Sequence, residues 1–123
     1  MKLLLALITL ALVAPAPAAP PAADIGPWEY LAVQDSGRRK PIGTFGHEVL
    51  VKIAGRDPIR TTDGETFNGS AFAFSQLFAT RDWSEEPMIL VAYRPLVEQL
   101  GLDATRKRFS RKELAGATGL ATL

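Results

Sequence analysis

The chain has a single histidine, His47, and no cysteine. Those two facts decide most of the chemistry open to it. Without thiolates there is no thiol nucleophile, no thiolate metal site and no Cys-x-x-Cys-His haem attachment. A lone histidine needs ligands from elsewhere to hold a metal or haem. Met1 belongs to a leader and Met88 to an apolar run, so neither supplies one. Stepping 100° per residue from Phe45 puts His47 about 200° round, at the border of an apolar stripe. A histidine there is amphipathic surface. A Ser-His-Asp hydrolase needs a serine hydroxyl within about 3 Å of His47, and no Gly-x-Ser-x-Gly elbow accompanies the serines. Glu85 and Glu86 are adjacent, so they point apart and make a poor acid/base pair. The residues read as those of a non-enzymatic protein.

Cations carry the remaining functional weight. Arg38-Arg39-Lys40 sits between Gly37 and Pro41, which stiffen the turn around it. Guanidinium groups on a stiff turn suit bidentate recognition of carboxylates. A second cluster, Arg106-Lys107-Arg108 with Arg111-Lys112, suits anionic headgroups or an acidic partner. Arg38, Arg39, Lys40, Arg106 and Arg108 are therefore the partner-binding candidates. An architectural reading stands beside this one. In it Asp35 accepts amides of the turn, and Arg38 pairs with Glu48 or a helix C-terminus. Asn68-Gly69-Ser70 matches a glycosylation sequon but stands where a helix needs a cap, and the cap is favoured.

The elements that position these groups are short. Trp28–Gln34 reads as a strand or extended segment, and the turn Asp35–Lys40 follows. Thr44 is a good N-cap and Gly55 a good C-terminal stop, so they bracket the first helix. Phe45, Val49, Leu50 and Ile53 form its apolar side, with Glu48 and Lys52 paired opposite. A second helix is expected from Asn68–Ser70 to no later than Thr80, with Phe74, Leu77 and Phe78 as its stripe. Trp83 falls in a polar turn, Arg81 to Glu86. Met88–Ala92 reads as a buried strand. Pro95–Leu100 is a helix stopped by Gly101. Ser110-Arg-Lys-Glu113 is a capping box that opens a last helix containing Leu114, Ala117, Leu120 and Leu123. That helix has no stop signal, so the polypeptide is expected to continue or the helix to dock on another chain. The class expected is α+β: a small, mostly helical domain with one or two short strands. Its core is expected to contain Trp28, Leu31, Phe45, Val49, Ile53, Phe74, Leu77, Phe78, Ile89, Val91, Leu96 and Leu100.

Residues 1–18 read as a cleaved signal peptide. Lys2 gives a positive start, Leu3–Ala14 is too short for the roughly 20 residues that span a bilayer, and Ala16-Pro17-Ala18 is a small-x-small cleavage site. Residues 19–26 form an Ala/Pro-rich lead-in, and 27–123 the domain. Loss of Lys2 leaves 13 cations against 13 acids, which disfavours nucleic acid as a partner. An exported chain of this size without disulfides must rely on its core or on a neighbour.

The stretch "WEYLAVQDSGRRKPIGTFGHEVL", Trp28–Leu50, resembles the pattern Trp-x-x-Leu-Pro-Val-Gln-Asp-Gly-Gly-Arg-x-Lys-Pro-Leu-Asp-Thr-Phe-Ala-Arg-Glu. That pattern occurs in extracytoplasmic segments of System II cytochrome c biogenesis proteins, the haem-handling cytochrome c synthetases. The match falls on Trp28, Leu31, Val33, Gln34, Asp35, Gly37, Arg38, Lys40, Pro41, Thr44, Phe45 and Glu48. Glu85–Leu114 is similar, more loosely, to a later part of those segments. Among the departures, Ala32 replaces a proline, and Gly46-His47 stands where Ala-Arg is usual. Nothing matches the family's transmembrane helices or its tryptophan-rich haem segment. The resemblance implies a non-catalytic periplasmic accessory domain of cytochrome c maturation, at the outer face of the cytoplasmic membrane. Trp28, Gln34, Asp35, Gly37, Pro41, Thr44, Phe45 and Glu48 would be its structural motif. Its implied partners are the membrane biogenesis proteins or apocytochrome c, with contact to the membrane surface. No cofactor is expected on this chain alone, haem belonging to the complete system. The alternative is a secreted module, unrelated to haem, that uses its basic clusters on anionic surfaces.

Overall fold

A computed structural model describes residues 24–119. The expected signal peptide and most of the lead-in lie outside the described residues. So does the end of the expected last helix.

Gly26–Tyr30 is a 3-10 turn rather than the expected strand, with Pro27 in its first turn. The chain then extends into β1 (Ala32–Asp35), reverses at Ser36-Gly37 and returns as β2 (Arg38–Pro41). Both turn residues have positive φ, 52° and 79°. This is the mirror-image turn whose twist matches an antiparallel pair. The register places Val33 opposite Lys40 and Asp35 opposite Arg38.

Helix α1 (Ile42–Ala54) starts directly off β2, two residues before the expected cap at Thr44. Pro41 fixes an extended entry, and no side chain caps this end. The Ile42 N–H is met instead by the Leu31 carbonyl at 2.8 Å. The backbone of the 3-10 turn's exit thus does the work of a cap. Gly55 ends the helix in the left-handed region, φ 70°, as expected.

A small hairpin, β3 (Ile59–Arg60) with β4 (Thr66–Phe67), leads to α2 (Gly69–Leu77). Asn68 caps α2, its Oδ1 accepting from the Ala71 N–H at 2.8 Å. The sequon position is therefore a cap, as read. β5 (Ile89–Leu90), α3 (Arg94–Gln99), β6 (Arg108–Phe109) and α4 (Arg111–Ala115) complete the chain, with β5 and β6 paired antiparallel. The Ser110/Glu113 capping box forms in both directions. Helix α4 stops at Ala115, short of the expected run to Leu123. The α+β class stands, with more strands than expected: six two- to four-residue segments in three separate pairs among the described residues.

The core gathers Leu50, Ala54, Ile59, Phe72, Trp83 and Met88, with Val49, Ile53, Phe67 and Ile89 packed against it. Val97, Leu100 and Phe109 are buried as well. Leu31, Leu77 and Phe78 were expected inside but are 52%, 64% and 57% exposed. The reason is the crossing of α1 and α2. An added Cβ on Gly46 would lie 2.2 Å from the Gly69 carbonyl oxygen, and one on Gly69 would lie 2.2 Å from the His47 nitrogen. So close an approach demands the small face of α2, Gly69 and Ala73. Phe72 and Ser75 then turn inward, while Leu77 and Phe78 turn out.

Acidic groups on the surface report on folding. The Arg81 guanidinium, with the Thr61 hydroxyl, holds Asp63 down from 3.8 to about 2. Arg106 and the Ser110 amide hold Glu113 down from 4.5 to about 2. A depressed carboxyl contributes stability above its unfolded pKa and loses it as pH falls through the folded one. Melting temperature is thus expected to be level above about pH 5 and to fall from pH 4.5 toward 2. Arg106→Gln should flatten the Glu113 part of that fall in pH-resolved thermal melts.

Candidate docking surface

The β1–β2 hairpin divides its three cations into two kinds. Lys40 turns back toward α1, its Nζ 3.0 Å from Asp35 Oδ2 and 2.6 Å from Glu48 Oε2. Glu48 and Asp35 accordingly raise the Lys40 pKa, and the Lys40 hydrogen bond lowers that of Asp35. Asp35, Lys40 and Glu48 are far apart in sequence for a local motif but form one ion triad between hairpin and helix. The candidate contact Lys40 is thus a brace. Arg38 faces Asp35 across the register, yet that carboxylate is held by Lys40. Arg38 and Arg39 are exposed, and neither guanidinium has a hydrogen bond or ion pair among the described residues. In the architectural reading Arg38 pairs with Glu48 or a helix C-terminus and Asp35 accepts turn amides; Lys40 instead takes both carboxylates.

The remaining motif residues have equally definite places. Gly37 supplies the positive φ of the turn and Pro41 the entry to α1. Gln34 and Thr44 are exposed, and Phe45 is half-buried on the flank of α1. Trp28 packs edge-on against Phe74 and Phe78, with ring centroids 5.4 and 5.5 Å away. Its indole N–H is buried without a partner among the described residues.

The second basic cluster is taken apart by its neighbours. Arg106 donates to Glu113 at 2.7 Å and stacks over the Phe109 ring. Arg108 turns inward and donates to the Ala54 and Met88 carbonyls, tying β6 to the end of α1. Lys112 pairs with Glu85, and Arg111 donates to the Ser84 hydroxyl. This cluster fastens α4 and β6 to the rest of the domain. Arg108→Ala would leave two carbonyls unmet and is expected to cost about 1–3 kcal/mol, measurable by urea denaturation.

His47 is exposed, as expected, but not idle. Its Nδ1 lies 2.7 Å from Asp57 Oδ2. Asp57 is nine-tenths buried and also accepts from the Gly69 N–H at the start of α2. The pair locks the helix crossing. No described serine hydroxyl is hydrogen-bonded to the imidazole. Among the described residues, no group of three or more His, Asp or Glu is placed to hold a metal ion.

Sequence reasoning missed two features. One is the exposure of Leu31, Leu77 and Phe78, the last of them against Trp28. The helical spacing of 74, 77 and 78 marked the stripe, but nothing local said that it faces out. The other is Arg81, which draws Asp63, Glu65 and Glu86 together and lies over Phe67 and Trp83. No helix among the described residues is long and apolar enough to cross a membrane. Compared with protein-family models, curated proteins and solved structures, the chain matches none of the three.

Proposed function

We propose that this is a non-catalytic, extracytoplasmic accessory domain of cytochrome c maturation, which docks on membrane haem-handling proteins through the outer edge of its basic hairpin. The observation that carries this is the division of labour in the hairpin. Gly37, Pro41, Asp35, Lys40 and Glu48 build and brace it, and these are positions shared with the cytochrome c synthetase pattern. Braced in this way, Arg38 and Arg39 project with their donors unmet. As neighbours on one strand the two arginines point to opposite faces of the hairpin, Arg38 on the side of Asp35 and Arg39 on the side of Gln34, so each would meet a carboxylate separately. Haem and ligation chemistry belong, in this reading, to the membrane partner.

The test is capture of membrane haem-handling proteins by the purified domain. Arg38→Ala/Arg39→Ala should reduce capture by about tenfold, equivalent to roughly 1.4 kcal/mol, with the melting temperature unchanged. Lys40→Met should lower both capture and melting temperature, since it releases the brace. Undiminished capture by the double arginine variant would remove the hairpin from the interface.

A further inference from the structure

Strand β2 has one edge on β1 and one edge open. The two-residue turn makes Asp35 and Arg38 a hydrogen-bonded pair, and such pairs alternate along an antiparallel ladder. Val33 and Lys40 form the next bonded pair, and the Ile42 N–H on the Leu31 carbonyl continues the same alternation. Arg39 falls between two bonded pairs. Its N–H and C=O point away from β1, and neither has a partner among the described residues. Unpaired groups on a strand edge are a template for another strand. The side chains follow the pleat. Val33, Asp35, Arg38 and Lys40 share the face toward α1, where Lys40 reaches Glu48. Ala32, Gln34 and Arg39 share the other face, and all three are exposed. The open edge is thus flanked by one unpaired guanidinium on each face.

We infer that β2 receives an extended acidic segment of a protein partner as a third strand. The backbone of that segment pairs with Arg39, and two consecutive carboxylates meet Arg38 on one face and Arg39 on the other. Charge complementarity and the pleat select this occupant together. Consecutive residues of an added strand also point to opposite faces, so adjacent Asp or Glu side chains reach both guanidiniums. A flat anionic surface would reach only one of them. A second copy of this chain is a poor fit, because β2 laid antiparallel on itself at Arg39 sets arginine beside arginine. In strand addition, main-chain hydrogen bonds supply affinity and the flanking side chains supply specificity. The inference rests on the docking proposal and names what the partner offers to the hairpin.

The test uses short peptides in place of the membrane partner. The full chain is titrated with the blocked peptide Thr-Val-Glu-Glu-Val-Thr and followed by amide NMR. The Arg39 amide should shift most and gain protection from solvent exchange. The Arg38 and Lys40 amides, already bonded across the hairpin, should move less. The peptide Thr-Glu-Val-Glu-Val-Thr has the same composition but puts both carboxylates on one face, so it should bind about fivefold more weakly. Arg38→Ala and Arg39→Ala alter exposed side chains. Each should weaken binding of the first peptide by about two- to fivefold, the scale of one exposed ion pair, with melting temperature unchanged. Equal binding of the two peptides, or an Arg39 amide that stays unmoved, would overturn the inference. A chain that sediments as a dimer with its Arg39 amide protected before any peptide is added would overturn it too, by giving the edge to a second copy. Failure of both peptides to bind, while capture of membrane proteins still depends on Arg38 and Arg39, would overturn strand addition and leave the docking reading standing.

Discussion

Gly46→Val should leave the chain without a stable native state, and Gly46→Ala should lower its stability by at least about 3 kcal/mol. Alanine in a helix interior is normally better than glycine by about 1 kcal/mol, so propensity alone predicts the opposite sign. What decides the matter is the atom that the new methyl meets. It would lie 2.2 Å from the Gly69 carbonyl oxygen, 2.7 Å from its carbon and 3.2 Å from the Ala73 Cβ. The first two are backbone, so no rotamer change relieves the overlap and the helices must move apart. Ordinary overpacking costs about 1–3 kcal/mol. Separation here also pulls His47 from Asp57, and Asp57 from the Gly69 amide. Gly43→Ala is the control, in the same helix. Its methyl would meet the Ser70 hydroxyl at 3.2 Å, which can rotate away, and the Glu29 Cβ and carbonyl oxygen at 3.4 Å, which are ordinary contacts. Urea denaturation of the two variants should separate them clearly. Equal stability would mean that the helices do not cross at this spacing.

This position also shows what sequence could and could not tell. Gly46 stands where the resembling pattern carries alanine, which was visible as a departure. Its cause was not visible, because the partner glycine lies 23 positions on, in another helix. Signals satisfied within a few residues were legible. Asn68 and Ser110 cap the helices they precede, Gly55 and Gly101 take left-handed conformations at helix ends, and Ser36-Gly37 turns the hairpin. Signals settled by tertiary contact were not. Thr44 looked like a cap until the Leu31 carbonyl took the Ile42 amide. Phe74, Leu77 and Phe78 looked like a core stripe, but the helix crossing chose the small face instead. Arg108 looked like a contact residue, since nothing nearby in sequence shows that two carbonyls await it. In the candidate site, the braced turn was legible as a turn. Which of its cations would brace and which would project was decided by Glu48 on the neighbouring helix.

Trp83 extends that lesson to the largest side chain in the core. It occurs between Asp82 and Ser84, in a run that reads as a polar turn, and yet it is only 9% exposed. Phe67 and Phe72 meet its ring edge-on at 4.9 and 5.1 Å, and Arg81 lies 5.1 Å from its centre. The indole N–H donates to the Ser75 hydroxyl at 2.9 Å, and that hydroxyl donates onward to the Phe72 carbonyl. Trp83→Ala should therefore cost about 3–5 kcal/mol, a large share of the roughly 5–15 kcal/mol that holds a domain of this size together. It would also enlarge the cleft of about 490 Å³ that already lies beside Trp83, Phe72 and Met88. Trp83→Phe keeps most of the packing and leaves the Ser75 hydroxyl with one partner fewer, so about 1–2 kcal/mol is expected. Denaturation in urea gives both numbers. The second variant also tests how scaffold and surface are divided. Below its melting temperature it should capture membrane partners like the parent chain, because no hydrogen bond, ion pair or ring contact joins Trp83 to the hairpin arginines. Should Trp83→Phe stay folded yet lose capture, the cleft over the core, and not the hairpin, would be the part of the molecule that meets a partner.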